Sequence, residues 1–512
     1  MSKLFSRLQF SNSFAALGEE FYSQVSPTPF VSAANLVHFN HDAAALLDLD
    51  LESLDGEELC AVFSGAKPLS GGQAISMLYA GHQFGHYVPQ LGDGRAIILG
   101  ETTNQLGQRW EIQLKGSGLT PYSRDGDGRA VLRSTIREYL CSEAMHALGI
   151  PTTRALCIVG SQDEVYRERI ETGAMLTRLS PSHVRFGSFE VFYYRNQFAQ
   201  IRRLSDYVIA HHYPALAEAE NPYLALLESV IERTASLIAQ WQSVGFSHGV
   251  MNSDNMSILG LTIDYGPYGF MEGYDPGYIC NHSDHHGRYA FDQQPSIGLF
   301  NLSCLAQALL PLLVPENSAK ASVDDYSDQD IKAATETAKE ILGTYSLRFI
   351  EHYAQRMREK LGLREIMAED QALCDDLLAL MAKDGADFTN VFRQLADVKV
   401  DAETFDGLKV RDYFIDRAGL NPWLQRYQAR LRKENSHDAD RSQRMKAVNP
   451  KYILRNYLAE IAIRKAEDEN DYSEIDKLLR VLKAPYDEQN QNQVYAQLAP
   501  DWASKIVVSC SS

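Results

Sequence analysis

The stretch HGVMNSDNMSILGLTIDYG, residues 248–266, decides how the rest of the chain is read. Asn255 follows His248 by seven residues and precedes Asp264 by nine. A carboxamide oxygen and a carboxylate at this spacing, on a loop and the turn after it, can share hard cations that bridge phosphates. The place two residues after His248, where a loop of this kind carries its base, is held by Val250. Valine takes no proton. Asp254, beside Asn255, is the nearest carboxylate, and from there it would meet a nucleotide from another direction. The stretch therefore suggests a moved base.

Working outward, residues 223–244 form a helical segment that runs straight into the loop. Upstream the pattern is strand-rich. AIILGE (96–101) and WEIQLK (110–115) read as strands joined by a hairpin-like connection. In the second, Trp110, Ile112 and Leu114 alternate with Glu111, Gln113 and Lys115. A helix is expected from about Ala130 to Leu148, with Leu132, Ile136, Tyr139, Leu140 and Ala147 on one stripe and Gly149 and Pro151 ending it. After about residue 300 the periodicity is almost wholly helical, and 434–443 reads as a surface loop.

Composition narrows the class. The 512 residues are 45% hydrophobic, enough for a sizeable core, and carry a net charge of −18. So acidic a surface disfavours nonspecific binding to nucleic acid or an anionic membrane. No run approaches the roughly 18 apolar residues that span a bilayer, and the first residues lack a signal-peptide pattern. A cytoplasmic monomer is expected. The seven cysteines are scattered, without zinc or CxxC spacing.

The candidate site residues follow in chain order. Gly92 and Gly94, in QLGDGRAIILGE, would let backbone amides approach phosphate oxygens; a tight β-turn is the plainer account. Ile97 stands where a third glycine would fall, and Arg95 adds a charge. Lys115 precedes the helical Glu138 by 23 residues, the pairing by which kinases hold an ammonium against nucleotide phosphates. Asp127 and Gly128 open the helix, where Asp127 either caps it or meets the ligand. Arg178 and Arg185 suit phosphate, with Arg195, Arg202 and Arg203 closer to ordinary surface pairs. HSDHHGRY (282–289) suggests an activation-segment role or polar packing more than a metal site.

Strand lysine, helix glutamate, loop asparagine and turn aspartate occur in the order found in protein kinases. The expected fold is α+β, bilobal and protein-kinase-like, with a strand-rich N-lobe, a helical C-lobe and extra C-terminal helices. The segments are an N-terminal extension (1–79), the N-lobe (80–200), the C-lobe (201–320), a helical C-terminal part (321–495) and a tail (496–512). A kinase using Asp254 as substitute base, an ATP-binding scaffold without activity, and a transferase of another kind all remain open here.

QLGDGRA, QLKGSG, TPYSRDGDGRAVLRS, IREYL, SHVRFG, HGVMNSDNMSILGLTIDYGPYGFME and NHSDHHGRY together resemble the selenoprotein O family, the YdiU-type protein adenylyltransferases. The likeness runs from about residue 10 to the end. It implies a pseudokinase fold that binds ATP in a flipped orientation and transfers AMP to Ser, Thr or Tyr hydroxyls of proteins. By the same likeness Gly92, Gly94, Arg95, Lys115, Asp127, Gly128, Arg178, Arg185 and Asp264 contact ATP. Asn255 and Asp264 hold magnesium, Asp254 accepts the proton, and Glu138 orders Lys115. Manganese and UTP stand as alternatives to magnesium and ATP. Many members end in Cys-x-x-Sec; this chain ends Cys510-Ser511-Ser512, so a local redox pair cannot form. A disulfide between Cys510 and Cys280, pinning the tail on the active-site loop, is the hypothesis, with two free thiols as the alternative.

Overall fold

The computed structural model describes residues 4–5, 7–314 and 327–509; the expected boundary at 320 and the residue Cys510 lie outside them. Strands β1 (Tyr22–Gln24), β2 (Asn35–Phe39) and β3 (Ile75–Met77) come first, then a separate hairpin of β4 (Gly81–Gln83) and β5 (His86–Val88). β6 (Ala96–Thr103), β7 (Arg109–Lys115), β8 (Ala130–Val131), β9 (Arg154–Tyr166) and β10 (Ile170–Ser180) follow. The eight-stranded sheet runs β1-β3-β6-β7-β10-β9-β2, with β8 pairing β10. Lys115 at the end of β7 pairs with Ala96 on one side and Leu176 on the other, and Arg178 lies opposite Gln113. Strands from the first 79 residues are thus hydrogen-bonded into the same sheet as those that follow.

The alternation in β7 predicts one dry face and one wet face. The dry face is there: Ile112 and Leu114 join an apolar cluster with Leu59 and Phe63 of α2 (Gly56–Phe63), next to α1 (His41–Ala45). The polar face is not wet. Glu111, Gln113 and Lys115 are all buried. α3 (Leu132–Ala147) packs near that face, its Ile136, Tyr139 and Leu140 fully enclosed. Three polar side chains in a row are kept inside only if charged or hydrogen-bonding partners meet them.

α4 (Gly187–Tyr193), α5 (Phe198–His212), α6 (Pro222–Ser243) and α7 (Gln294–Leu313) follow and pack on one another. α6 starts where it does because the Asn221 side chain accepts from Leu224 N and Pro222 occupies the first turn. The segment Phe291–Leu313 is long and apolar enough to cross a membrane, against the sequence reading. Polar residues such as Asn301 interrupt it, so no unbroken apolar run shows; 67% of its apolar window is buried in the protein. It packs against α4, α6 and α8.

The remainder is helical: α8 (Asp328–Leu342), α9 (Tyr345–Lys360), α10 (Asp370–Asp384), α11 (Phe388–Leu395), α12 (Asn421–Lys433), α13 (Asp438–Val448), α14 (Asn456–Glu469) and α15 (Ser473–Leu482). The expected surface loop at 434–443 is corrected by α13, which takes up its second half. Asp438 and Asp440 favour the helix N-terminus, and Arg441, 1% exposed, is drawn inward to donate to the Val398 carbonyl. Helices α9–α13 surround a second core that includes Leu377, Phe392, Trp423 and Tyr427.

That second core contains Lys360, only 4% exposed, its ammonium 4.4 Å from the Phe392 ring centre and 5.4 Å from that of Phe388. Burial pushes its pKa down to about 7. The folded pKa lies below the unfolded one. Between pH of about 7 and about 10 the unfolded chain therefore holds a proton that the folded chain lacks. Stability from this group rises with pH through that window, and its full penalty is present below it. Lys360→Met is expected to raise the melting temperature at pH 7, with the gain shrinking towards pH 10. After loss of the cation–π contact the net gain at pH 7 is about 3 kcal/mol. Thermal unfolding of both proteins across that range checks it; a gain that does not change with pH contradicts it.

Candidate active site

A cleft of about 710 Å³ opens between the end of the sheet and the loop that begins at His248. The loop is held by its histidine. His248 Nε2–H donates to the Ile263 carbonyl at 2.9 Å, which leaves Nδ1 to accept from Val250 N at 3.4 Å. The imidazole stacks on Trp241 of α6, and its backbone N–H donates to Gln294 of α7. This latch ties the two ends of the 248–264 stretch together, so that Asn255 and Asp264 both line one cleft.

Asp264 has φ +57°, a left-handed conformation that aspartate tolerates better than most residues. Four charged side chains converge around it. Arg178 Nη1 donates to Asp264 Oδ1 at 2.6 Å and to Glu138 Oε1 at 3.0 Å. Arg185 pairs with Asp264 Oδ2, donates to the Asp254 carbonyl at 2.9 Å, and lies over the Tyr79 ring at 4.6 Å. Lys115 is ion-paired with Glu138 and stands 3.9 Å from Asp264. The buried polar face of β7 is met in this way at Lys115, by Arg178 and Asp93 at Gln113, and by His183 at Glu111. Burial acts to raise the Asp264 carboxyl, but Arg185, Arg178 and Lys115 hold it well below the usual carboxylate range. Burial lowers Lys115 against the pull of Glu138.

Asp254 lies on a 3-10 turn, Ser253–Asn255, and is 6% exposed. Burial pushes its carboxyl up to about 7, against a hydrogen bond from Gln83 and the charge of Arg185. Asn255 Nδ2 donates to the Val250 carbonyl at 3.0 Å. With its amide nitrogen so engaged, its carboxamide oxygen, which accepts no hydrogen bond among the described residues, is the atom that can serve a ligand. That oxygen and the Asp264 carboxylate are hard donors of the kind magnesium and manganese take. They fit such a cation.

Gly92 and Gly94 also line the cleft, but the turn has a second reason for glycine. Gly92 has φ +120°, and a Cβ there would stand 2.5 Å from the Tyr122 ring; one at Gly94 would stand 2.7 Å from the Tyr122 carbonyl. Loop 122–128 is packed directly on the turn. Between the glycines sits Asp93, which sequence reading passed over. It is 3% exposed, accepts from Met77 N, Tyr79 and Gln113, and stands 3.8 Å from Arg185. An acidic residue between two glycines of a turn was the available signal. Arg95 reaches the cleft, with burial lowering its pKa.

Asp127 and Gly128 do not open the helix. α3 starts at Leu132, with Val131 at its N-cap and no side-chain cap, because the two-residue β8 intervenes. Asp127 instead accepts from Arg129 N at 2.9 Å and forms a paired contact with Arg167 at 2.7 and 2.9 Å. Gly128, φ +71°, approaches Gly118 so closely that a Cβ would fall 2.2 Å from its carbonyl. Both still border the cleft, with Arg167, from the β9–β10 turn, beside them. Arg195, Arg202 and Arg203 lie elsewhere, on Gln90, Tyr223 and Glu20.

In 282–289, Asp284 accepts from Arg288 N and Tyr289 N, and Tyr289 donates to Asn252, which is polar packing. Cys280 is buried, its thiol 3.4 Å from Ser247 Oγ and pushed up to about 12 by burial. The tail reaches this segment, since His282 N donates to the Val508 carbonyl at 2.9 Å.

A family model described as protein adenylyltransferase SelO matches residues 4–483 of this chain. Relatives called protein nucleotidyltransferase YdiU cover nearly all of it. That of Thioalkalivibrio sulfidiphilus is 56% identical over 505 residues, 99% of each chain. Those of Thiobacillus denitrificans and Myxococcus xanthus are 54% and 52% identical over 506 residues, again 99% of each chain.

Proposed function

We propose that this chain, which belongs to the SelO family of protein adenylyltransferases and is a protein nucleotidyltransferase, transfers AMP from ATP to Ser, Thr or Tyr hydroxyls of proteins. The observation that carries the reading is the convergence of Lys115, Arg178 and Arg185 on Asp264, in a cleft that Asp254 also lines while Val250 stands at the usual base position. That distribution puts positive charge where a leaving group would gather negative charge, while the Asp254 carboxyl takes its side-chain hydrogen bond from Gln83 and not from an arginine.

In this reading the architecture is kinase-like and bilobal. The N-lobe (80–200), its sheet extended by strands of the first 79 residues, supports Lys115 and Glu138, the C-lobe (201–320) supplies the loop, and the helical C-terminal part packs on that core. The substrate hydroxyl gives its proton to Asp254 as its oxygen forms a bond to the α-phosphorus. The bond from that phosphorus to the bridging oxygen breaks, and pyrophosphate leaves with the electron pair. Arg178, Arg185 and Lys115 bind the leaving oxygens, and Glu138 keeps Lys115 in place. Gly92, Gly94, Arg95, Asp127 and Gly128 border the nucleotide. A divalent cation held by Asn255 and Asp264 would supply Lewis-acid neutralisation of phosphate charge. Preorganised donors of this kind are each worth about 2.7–4 kcal/mol of barrier.

The test uses ATP radiolabelled at either the α- or the γ-phosphate, with a soluble protein mixture as acceptor. Protein is expected to take label from the α position alone. Label from the γ position would mean phosphoryl transfer, and none from either would mean binding without chemistry.

A further inference from the structure

We propose that Gln83 is a positioning residue for Asp254, carried by a hairpin that grips the catalytic turn residue by residue. This rests on Asp254 as the proton acceptor. The hairpin is β4–β5, and its three residues His82, Gln83 and Phe84 each bond to one of the three residues Asn252, Ser253 and Asp254. His82 N donates to Ser253 Oγ at 2.7 Å. Gln83 Nε2 donates to Asp254 Oδ2 at 3.2 Å. Phe84 N donates to Asn252 Oδ1 at 3.3 Å and to the Tyr289 hydroxyl at 2.9 Å, and Tyr289 in turn donates to Asn252 Oδ1 at 2.6 Å.

Two features indicate that the hairpin is held there rather than resting there. Phe84 has φ +49°, a left-handed conformation that a bulky residue adopts only when its surroundings enforce it. The His82 ring is anchored from behind, Nδ1 lying 2.5 Å from Glu190 of α4, whose side chain is fully buried.

The Asp254 carboxyl is enclosed between two hairpin residues. On one side Gly81 lies so close that a Cβ would stand 2.6 Å from Oδ1 and 2.8 Å from the Asp254 Cβ. On the other, the Gln83 amide is the sole side-chain donor to that carboxyl among the described residues, and Oδ1 has no hydrogen-bond partner. A carboxylate has two nearly equivalent oxygens and a broad torsion about its last bond. One N–H donor fixed at Oδ2 chooses a rotation and holds it. The three-residue turn itself offers this carboxyl only the backbone N–H of Asp254, so the Gln83 amide adds the donor that comes from outside the turn. Gln83 also borders the cleft.

The test is Gln83→Met, which keeps length and volume and removes the donor, read as pyrophosphate release with a fixed protein mixture as acceptor. Apparent kcat is expected to fall about tenfold to a hundredfold, the range for a lost hydrogen bond to a charged group. KM for ATP and direct ATP binding should change less than about twofold, since binding precedes the step that needs the base. In an Asp254→Asn background the same substitution should have no further effect, because a residue acting through another is silent once that other is gone. Gly81→Ala, which pushes the same carboxyl from its other side, should behave alike. The proposal is overturned by a kcat for Gln83→Met within about twofold of the parent, by an equal loss in both backgrounds, or by a rise in KM for ATP that accounts for the loss. Full activity in Asp254→Asn alone would instead remove the base assignment, and that is read independently of Gln83.

Discussion

Asp264→Asn is expected to lower transfer of α-labelled nucleotide to protein by about three orders of magnitude or more. Asparagine keeps the shape of the side chain and tolerates the left-handed backbone at this position, so the substitution removes charge with little strain. In the free protein the carboxylate neutralises Arg178 and Arg185, each almost fully buried. Losing it leaves two guanidinium groups with Glu138 and Asp93 as their remaining anions. Removing one partner of a buried ion pair destabilises by about 3–5 kcal/mol, so a lower melting temperature should accompany the lost activity. Calorimetry beside the labelling assay separates the two effects. A folded variant that retains transfer within about tenfold of the parent would be incompatible with Asp264 as the residue that organises the phosphate-facing charge.

Asp254→Asn carries the second large effect. General-base assistance is worth about 10²–10⁴ in rate, and the carboxamide cannot accept the hydroxyl proton. Nucleotide affinity should change little, because the carboxyl is turned towards Gln83 and Gly81 rather than towards the arginine cluster. The informative comparison is therefore between the two variants. Asp264→Asn should weaken the hold on the phosphates as well as the chemistry, whereas Asp254→Asn should lose the chemistry alone. If both weakened ATP binding equally, the division of labour between the two carboxylates would not hold.

The arginines illustrate how far a local reading reaches. Arg178 and Arg185 stood out as an excess of positive charge in an acidic chain, and both reach the cleft. Arg195, Arg202 and Arg203, close to them in sequence, meet Gln90, Tyr223 and Glu20 instead. Arg178 is turned towards Gln113 and Glu138 by its place on β10, Arg185 is drawn to Asp264 and the Asp254 carbonyl from the segment after that strand, and such partners are not written in the neighbouring residues.

Several features were legible in the sequence because their determinants are local. Alternation in Trp110–Lys115 marks a strand, and the stripe through Ile136, Tyr139 and Leu140 marks a helix, since side-chain direction repeats with the backbone. Asn255 and Asp264 lie on one short stretch, so their spacing nearly settles that they can meet. The tertiary structure alone decided that the polar face of β7 is buried, that Asp127 meets Arg167 in place of capping α3, and that Gln83 reaches Asp254 across 171 residues. Those outcomes depend on which surfaces other layers cover, and the energy that holds a buried polar side chain comes from partners that no periodicity along the chain encodes.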